Sequence, residues 1–168
     1  MKKQNLVLLF ALLQTFLLMG SNCGANLQRR ARIEKLQDLY DPSRLKNVPL
    51  SRKEADKIRE MSAPAVDFLA KNLSNAEVDT LLKFQNSLTN QKFESKCGNQ
   101  LGIGIRSLPE IGSDTAKCMA QHLTAEEVKE LASFYESDLG AKIMALIPEL
   151  ERLEFRASLQ HRINAGAL

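Results

Sequence analysis

The sequence predicts an all-α fold, a small helical bundle built from two divergent repeats of about 50 residues. Three Ser/Thr-x-x-Glu capping boxes, at 51–54, 74–77 and 124–127, mark helix starts. Apolar residues follow the second and third boxes at helical spacing. The one segment with strand-like alternation, 101–105, has no second strand to pair with, and a strand needs partners to be stable.

The composition fits one helical domain, which we place at 27–165, after a signal peptide that residues 1–22 predict (see the next paragraph). The chain has 168 residues, of which 44% are hydrophobic and 26% charged, enough for a hydrophobic core. Lys2 and Lys3 lie in the predicted signal peptide, and without them basic and acidic residues are almost equal in number. The chain therefore lacks the excess positive charge that is typical of nucleic-acid-binding proteins. Two histidines and three cysteines are few for an elaborate metal or redox centre, and we expect no cofactor.

Residues 1–22 have the pattern of a secretory signal peptide. Met1-Lys2-Lys3 precedes an apolar stretch that ends at Met19, too short for a membrane-spanning helix. Cys23 follows small residues, as in bacterial lipoproteins, so cleavage before Cys23 and lipidation of that cysteine are predicted. The alternative is cleavage after Ala25. With cleavage at either site, we expect an exported protein, in the periplasm or lipid-anchored in the bacterial envelope.

The first predicted helix covers 27–40, where leucine and alanine recur at helical spacing among charged residues. Asp41-Pro42 ends it, and the box at 51–54 starts the next helix. Glycines indicate a connection at 98–106, after which helix resumes near Leu108.

Two helices with both a capping box and a hydrophobic staple are predicted to begin near Asn75 and Ala125. The segments around them, 72–93 and 122–143, align at an offset of 50 residues. Common helix-start signals explain the shared leucine, glutamate and valine, but not the shared phenylalanine, serine and lysine, so we favour a duplication. The identical pairs are Leu73/Leu123, Glu77/Glu127, Val78/Val128, Leu81/Leu131, Phe84/Phe134, Ser87/Ser137 and Lys92/Lys142.

The second copy reads Thr124-x-x-Glu127-Val128-x-x-Leu131-x-x-Phe134-Tyr135-x-Ser137-x-Leu139-Gly140-x-Lys142, with Pro148 beyond. This pattern resembles the bacterial family called domain of unknown function 2059, over 72–148 and specifically over 122–148. The resemblance implies a small exported helical protein and transfers no activity, because the family has no assigned chemistry. Asp138 stands where the family usually has proline, and the first copy has Gln85 and Asn90 for the tyrosine and glycine.

The most specific part of this pattern is predicted to be a structural corner between two helices. Ser137 suits a helix N-cap, and Asp138 suits the first turn of the helix that follows. Gly140 removes a side chain where two helix axes meet, and the aromatic residues are expected to be core anchors rather than a ligand cage. The corner residues are Phe134, Tyr135, Ser137, Gly140 and Lys142.

Cys97, Cys118 and His122 are the one constellation with possible chemistry. Cys118 and His122 lie four residues apart and share a helix face, so two thiolates and an imidazole would suit zinc. An exported chain meets an oxidising compartment, however, which favours a Cys97–Cys118 disulfide over zinc or free thiols. No nucleophile motif or phosphate-binding loop accompanies them.

Pro148 predicts a new helix start, after which the helix carries two apolar faces. One continues the preceding apolar stripe, and the other consists of Phe155, Leu159 and Ile163. A central position in the bundle would bury both faces. Otherwise the second face stays exposed and forms a helix-in-groove contact with a partner or a second copy.

The sequence therefore predicts a non-catalytic envelope module that binds a protein or the envelope itself. Its partner would be an unknown envelope protein or a second copy, with membrane attachment through the lipid if Cys23 is acylated. Arg29, Arg30 and Arg32 would either rest on anionic headgroups or form an ordinary solvated face. The alternative is a small metal- or thiol-dependent enzyme that uses Cys97, Cys118 and His122, which free thiols and bound metal would favour.

Overall fold

The computed structural model describes residues 24–41, 50–97 and 113–164, and within these ranges the chain is helical and has no strand. Helix α1 covers 24–37 and ends in a 3-10 turn, Asp38–Tyr40. The prediction of an all-α bundle is confirmed. The other helices are α2 (Arg52–Asn72), α3 (Asn75–Gln85), α4 (Leu88–Cys97), α5 (Ser113–His122), α6 (Ala125–Tyr135) and α7 (Asp138–Asn164).

Several sequence predictions lie outside the described residues. These are the signal peptide at 1–22, the lipidation site at Cys23, the connection at 98–106 and the helix start near Leu108. Among the helices that the structure does describe, none combines the length and the apolar character needed to cross a membrane.

The three capping boxes form as predicted and fix where three helices begin. In each box the hydroxyl oxygen accepts a hydrogen bond from the glutamate amide, and the glutamate side chain accepts one from the amide of the capping residue. The predicted helix starts near Asn75 and Ala125 are therefore confirmed. The pairs are Ser51 with Glu54, Ser74 with Glu77, and Thr124 with Glu127.

The larger hydrophobic core lies between α2 and α7, the helix pair with the most extensive contact. Helix α1, the 3-10 turn and α3 contribute further side chains to it. Burial of these apolar side chains is the main stabilising contribution to the bundle. The buried residues are Leu36, Leu39, Tyr40, Ala65, Val66, Leu69, Ala70, Leu73, Val78, Leu81, Ile143 and Leu150.

A smaller core joins α3, α4 and α6 around Phe84, Phe93 and Leu131. Helix α5 lies against α4 and contributes to this core only through the half-buried side chain of Met119. Phe134 packs against both cores and so lies between them.

Pro148 lies inside α7, so the prediction that a new helix begins there is wrong. A proline inside a helix removes the hydrogen bond to the carbonyl four residues earlier, here the carbonyl of Met144. Pro148 and Met144 are both exposed, so the proline lies on the outer side of the helix, and α7 continues through it.

Candidate functional site

The corner between α6 and α7 is built on a serine hydroxyl and a missing side chain. Ser137 Oγ donates a hydrogen bond to the Phe134 carbonyl at 2.6 Å and accepts one from the Gly140 amide at 3.1 Å. A Cβ on Gly140 would lie 2.7 Å from Tyr135 Cα and closer still to the Phe134 carbonyl oxygen. The helices therefore meet in a contact that only glycine permits.

The two predicted repeats face each other at this corner through aromatic rings. The rings of Phe84 and Phe134 stack with centroids 3.6 Å apart and an angle of 4° between their planes. The Tyr135 ring packs edge-on against both. Phe84 is buried and Phe134 half-buried, so these aromatic residues lie in the packing between units.

Two ion pairs connect the units in a reciprocal way. Lys92 of the first unit binds Glu127 of the second, with Nζ 2.7 Å from Oε2. Lys142 of the second unit binds Glu77 of the first, with Nζ 2.8 Å from Oε1. The two lysines are equivalent at the offset of 50 residues, and so are the two glutamates. Such reciprocity is what a two-fold arrangement of similar units produces.

These contacts favour the ionised form of both glutamates. The hydrogen bonds from Lys142 and then from the Ser74 amide lower the pKa of Glu77 from 4.5 to about 2. The hydrogen bonds from Lys92 and then from the Thr124 amide lower the pKa of Glu127. Each carboxylate thus binds a helix N-terminus of its own unit and a lysine of the other unit.

Acid should weaken the contact between the units. A carboxylate whose pKa is lowered on folding stabilises the protein above its ordinary pKa, and this contribution is lost as the pH falls through the lowered value. We expect the thermal midpoint to fall between pH 4.5 and about 2, and to fall less in Glu77→Gln, which keeps a capping acceptor without the charge. Circular dichroism melts across this pH range provide the measurement. Glu126→Gln is the control. If the thermal midpoint falls equally with pH in Glu77→Gln and in wild type, the lowered pKa of Glu77 does not stabilise the fold.

The first unit has a different corner, where Asn90 takes the place of Gly140. Its buried side chain donates hydrogen bonds to Gln85 Oε1 at 3.2 Å and to Glu94 Oε1 at 3.0 Å. Burial, and secondarily the charge of Glu94, raises the pKa of the Tyr135 hydroxyl.

Cys97 and Cys118 form a disulfide with their Cα atoms 5.7 Å apart, which confirms the predicted pairing. The bond joins the end of α4 to α5. With both sulfurs bonded to each other, neither is a thiolate ligand or nucleophile in this state. His122 is exposed at the end of α5, and the described residues contain no group of three histidine, cysteine or acidic side chains arranged for a metal.

One side of α7 carries an apolar surface that faces solvent. Phe155, Leu159 and Ile163 are 67%, 39% and 51% exposed, so they do not occupy a central helix position. The same side continues toward the start of α7, through Met144, which is 44% exposed. We call this surface the outward stripe, and its residues are Ala141, Met144, Ala145, Pro148, Phe155, Leu159 and Ile163.

Two of the three arginines considered for contact with lipid headgroups have partners within the protein. Arg29 forms an ion pair with Asp67 of α2. Arg32 donates to the Ala70 carbonyl at 2.8 Å and to Asn75 Oδ1 at 3.0 Å. These arginines hold α1 against the bundle, which leaves Arg30 as the exposed cation of this group.

Sequence reasoning missed two features of this surface and corner. It found the shared glutamates and lysines but did not recognise them as partners, although opposite charges repeated at one offset are a sign of reciprocal pairing. It also missed the first half of the outward stripe, because it treated Pro148 as a helix boundary. Projecting the whole of α7 on one helical wheel would have found it.

A family model described as "Uncharacterized protein conserved in bacteria (DUF2059)" matches residues 110–161. No curated protein and no solved structure matches the chain. The match contains α5, α6 and most of α7, and so begins and ends later than the predicted 72–148. The resemblance to domain of unknown function 2059 is thus confirmed, and residues 110–161 are the part of this chain that matches that bacterial family.

Proposed function

We propose that this protein is a non-catalytic module of the bacterial cell envelope that binds a protein partner through the outward stripe of α7. The exposure of Phe155, Leu159 and Ile163 carries the proposal. Their helix is anchored in the main core by the opposite side, through Ile143 and Leu150. An apolar surface on an anchored helix gains free energy when a partner covers it.

The envelope location rests on the signal peptide pattern at 1–22, with the protein either lipid-anchored through Cys23 or released after Ala25. The disulfide agrees with an oxidising compartment. The alternative function as a thiol- or metal-dependent enzyme would require reduction of the Cys97–Cys118 bond before Cys97, Cys118 and His122 could act together.

The double variant Phe155→Ser plus Leu159→Ser tests the surface. In dilute solution of the purified chain, where no partner covers the surface, we expect a thermal midpoint within about 3 °C of wild type, because exposed side chains contribute little to the folded state. We also expect loss of the complex that chemical crosslinking captures in the envelope fraction of the native cell.

The matched control removes two exposed leucines elsewhere, Leu27→Ser plus Leu88→Ser, at positions 61% and 85% exposed. This control should retain the complex. A complex that survives in the α7 variant would show that the outward stripe is not the binding surface. Crosslinked complexes found only in the cytoplasmic fraction would contradict the envelope location.

A further inference from the structure

We propose that the outward stripe of α7 binds a second copy of this chain, as an antiparallel pair of α7 helices related by a two-fold axis near Glu151 and Arg152. This inference rests on the proposed function, because it uses the same surface, and it names the occupant. Three observations carry it: the extent of the stripe, the placement of large and small residues along it, and the charges at its middle.

The stripe runs along nearly the whole length of α7. At 100° per residue its members fall within an arc of about 100°, and from Ala141 to Ile163 they extend for about 33 Å. Every member is exposed. A surface this long and narrow has the shape of a helix-packing seam rather than of a pocket for a small ligand.

Large and small side chains are placed so that two copies complement each other. The residues after the middle are bulky, namely Phe155, Leu159 and Ile163. Before the middle, alanines and Pro148 are small or flat, and Met144 is long and flexible. An antiparallel pair centred between residues 151 and 152 sets Phe155 against Pro148 of the second copy. The same register sets Leu159 against Met144, and Ile163 beside Ala141. Phe155 and Ile163 thus face small or flat residues, and Leu159 meets the flexible side chain of Met144, which can adapt its conformation to the contact.

Charges at the middle of the stripe are also self-complementary. Glu151 and Arg152 are both exposed and interrupt the apolar surface at its centre. In the antiparallel register Glu151 faces Arg152 of the second copy, and the two-fold axis repeats this pair. Arg152 already binds Glu149 within its own helix. A guanidinium has five donors, so it can bind both carboxylates.

A parallel pair of the same helices lacks these features. It would set each residue against its equivalent, so that Glu151 faces Glu151 and Arg152 faces Arg152. Like charges in contact at an interface are strongly unfavourable. Parallel helices also align their dipoles, whereas antiparallel helices oppose them. The antiparallel two-fold pair is therefore the arrangement that the charges select.

Sedimentation of the purified mature chain over a concentration series tests the pair. Wild type should form a dimer. Glu151→Arg alone and Arg152→Glu alone should each raise the dimer dissociation constant about tenfold or more, because each sets like charges against each other. The double variant Glu151→Arg plus Arg152→Glu should restore the dimer, since it exchanges the two partners.

An equimolar mixture of the two single variants provides a second, independent measurement. One variant presents two arginines and the other two glutamates, so the mixture should form heterodimers where neither variant dimerises alone. Wild-type helical content and a cooperative melt establish that the variants fold, measured at a concentration where wild type is also monomeric, because dimerisation itself raises the thermal midpoint. A wild-type chain that stays monomeric at every concentration, or single variants that dimerise like wild type, would overturn the second-copy proposal. If the dimer is absent but a different protein is crosslinked at Phe155, the second-copy proposal is wrong and the proposed function stands. If the dimer is absent and nothing is crosslinked at Phe155, both the second-copy proposal and the proposed function are wrong.

Discussion

Gly140→Ala is expected to lower the free energy of unfolding by at least about 2 kcal/mol, although alanine is the better helix former. The added methyl carbon would lie 2.7 Å from Tyr135 Cα and 2.8 Å from the Tyr135 carbonyl oxygen. These are backbone atoms, so no side-chain rotation relieves the clash, and α6 and α7 must move apart at their corner. The gain of about 1 kcal/mol that alanine brings over glycine inside a helix is smaller than this cost.

Urea denaturation of the purified variant measures the change in the free energy of unfolding. In protein purified with residue 24 retained, Gly24→Ala is the matched control, because no atom lies within 4 Å of a Cβ placed there. It should leave stability unchanged or slightly raised. A Gly140→Ala protein as stable as wild type would mean that the α6–α7 corner tolerates a side chain. The reason proposed here for glycine in this motif would then be incorrect.

The α6–α7 corner at Gly140 and the equivalent corner at Asn90, between α3 and α4, explain why the second predicted repeat is easier to recognise in the sequence than the first. At the second corner, glycine is required by contact between helix backbones. At the first corner, Asn90 fits with its side chain buried and hydrogen-bonded, so the equivalent backbones do not need the same close approach. The matching family range, which begins at residue 110, also contains only the second unit. The duplication itself stays a prediction, which the reciprocal Lys92–Glu127 and Lys142–Glu77 pairs support.

Local signals in the sequence were sufficient for the helix starts and for the corner. Capping boxes and an N-cap serine act within a few residues, so the pattern contains nearly all the information that determines them. The continuation of α7 through Pro148 and the exposure of Phe155 depend on which side of the helix the bundle covers. That choice is made by contacts between distant segments, above all α2 with α7, and no local pattern contains it.

Removing the disulfide with Cys97→Ser plus Cys118→Ser is expected to release α5 from the rest of the protein. Within α5, none of the side chains that the structure describes, at 114–122, is buried, and the helix lies mainly against α4. The bond closes a loop between residues 21 apart in sequence, which corresponds to about 3 kcal/mol in the chain-entropy account of disulfides. Few other contacts hold this helix, so most of the loss should appear as local opening of α5 and a smaller part as global destabilisation.

Hydrogen exchange measured by mass spectrometry separates local from global effects. Amides of α5 should exchange about 100-fold faster in the double variant, since about 3 kcal/mol corresponds to a factor of that size. Amides of α2, which lie in the main core, should keep their protection under conditions where opening is local. Equal acceleration in α2 and α5 would mean that the bond stabilises the whole bundle rather than one helix. Unchanged exchange in α5 would mean that its contacts with α4 and the packing of its own Met119 against the smaller core hold it without the covalent bond.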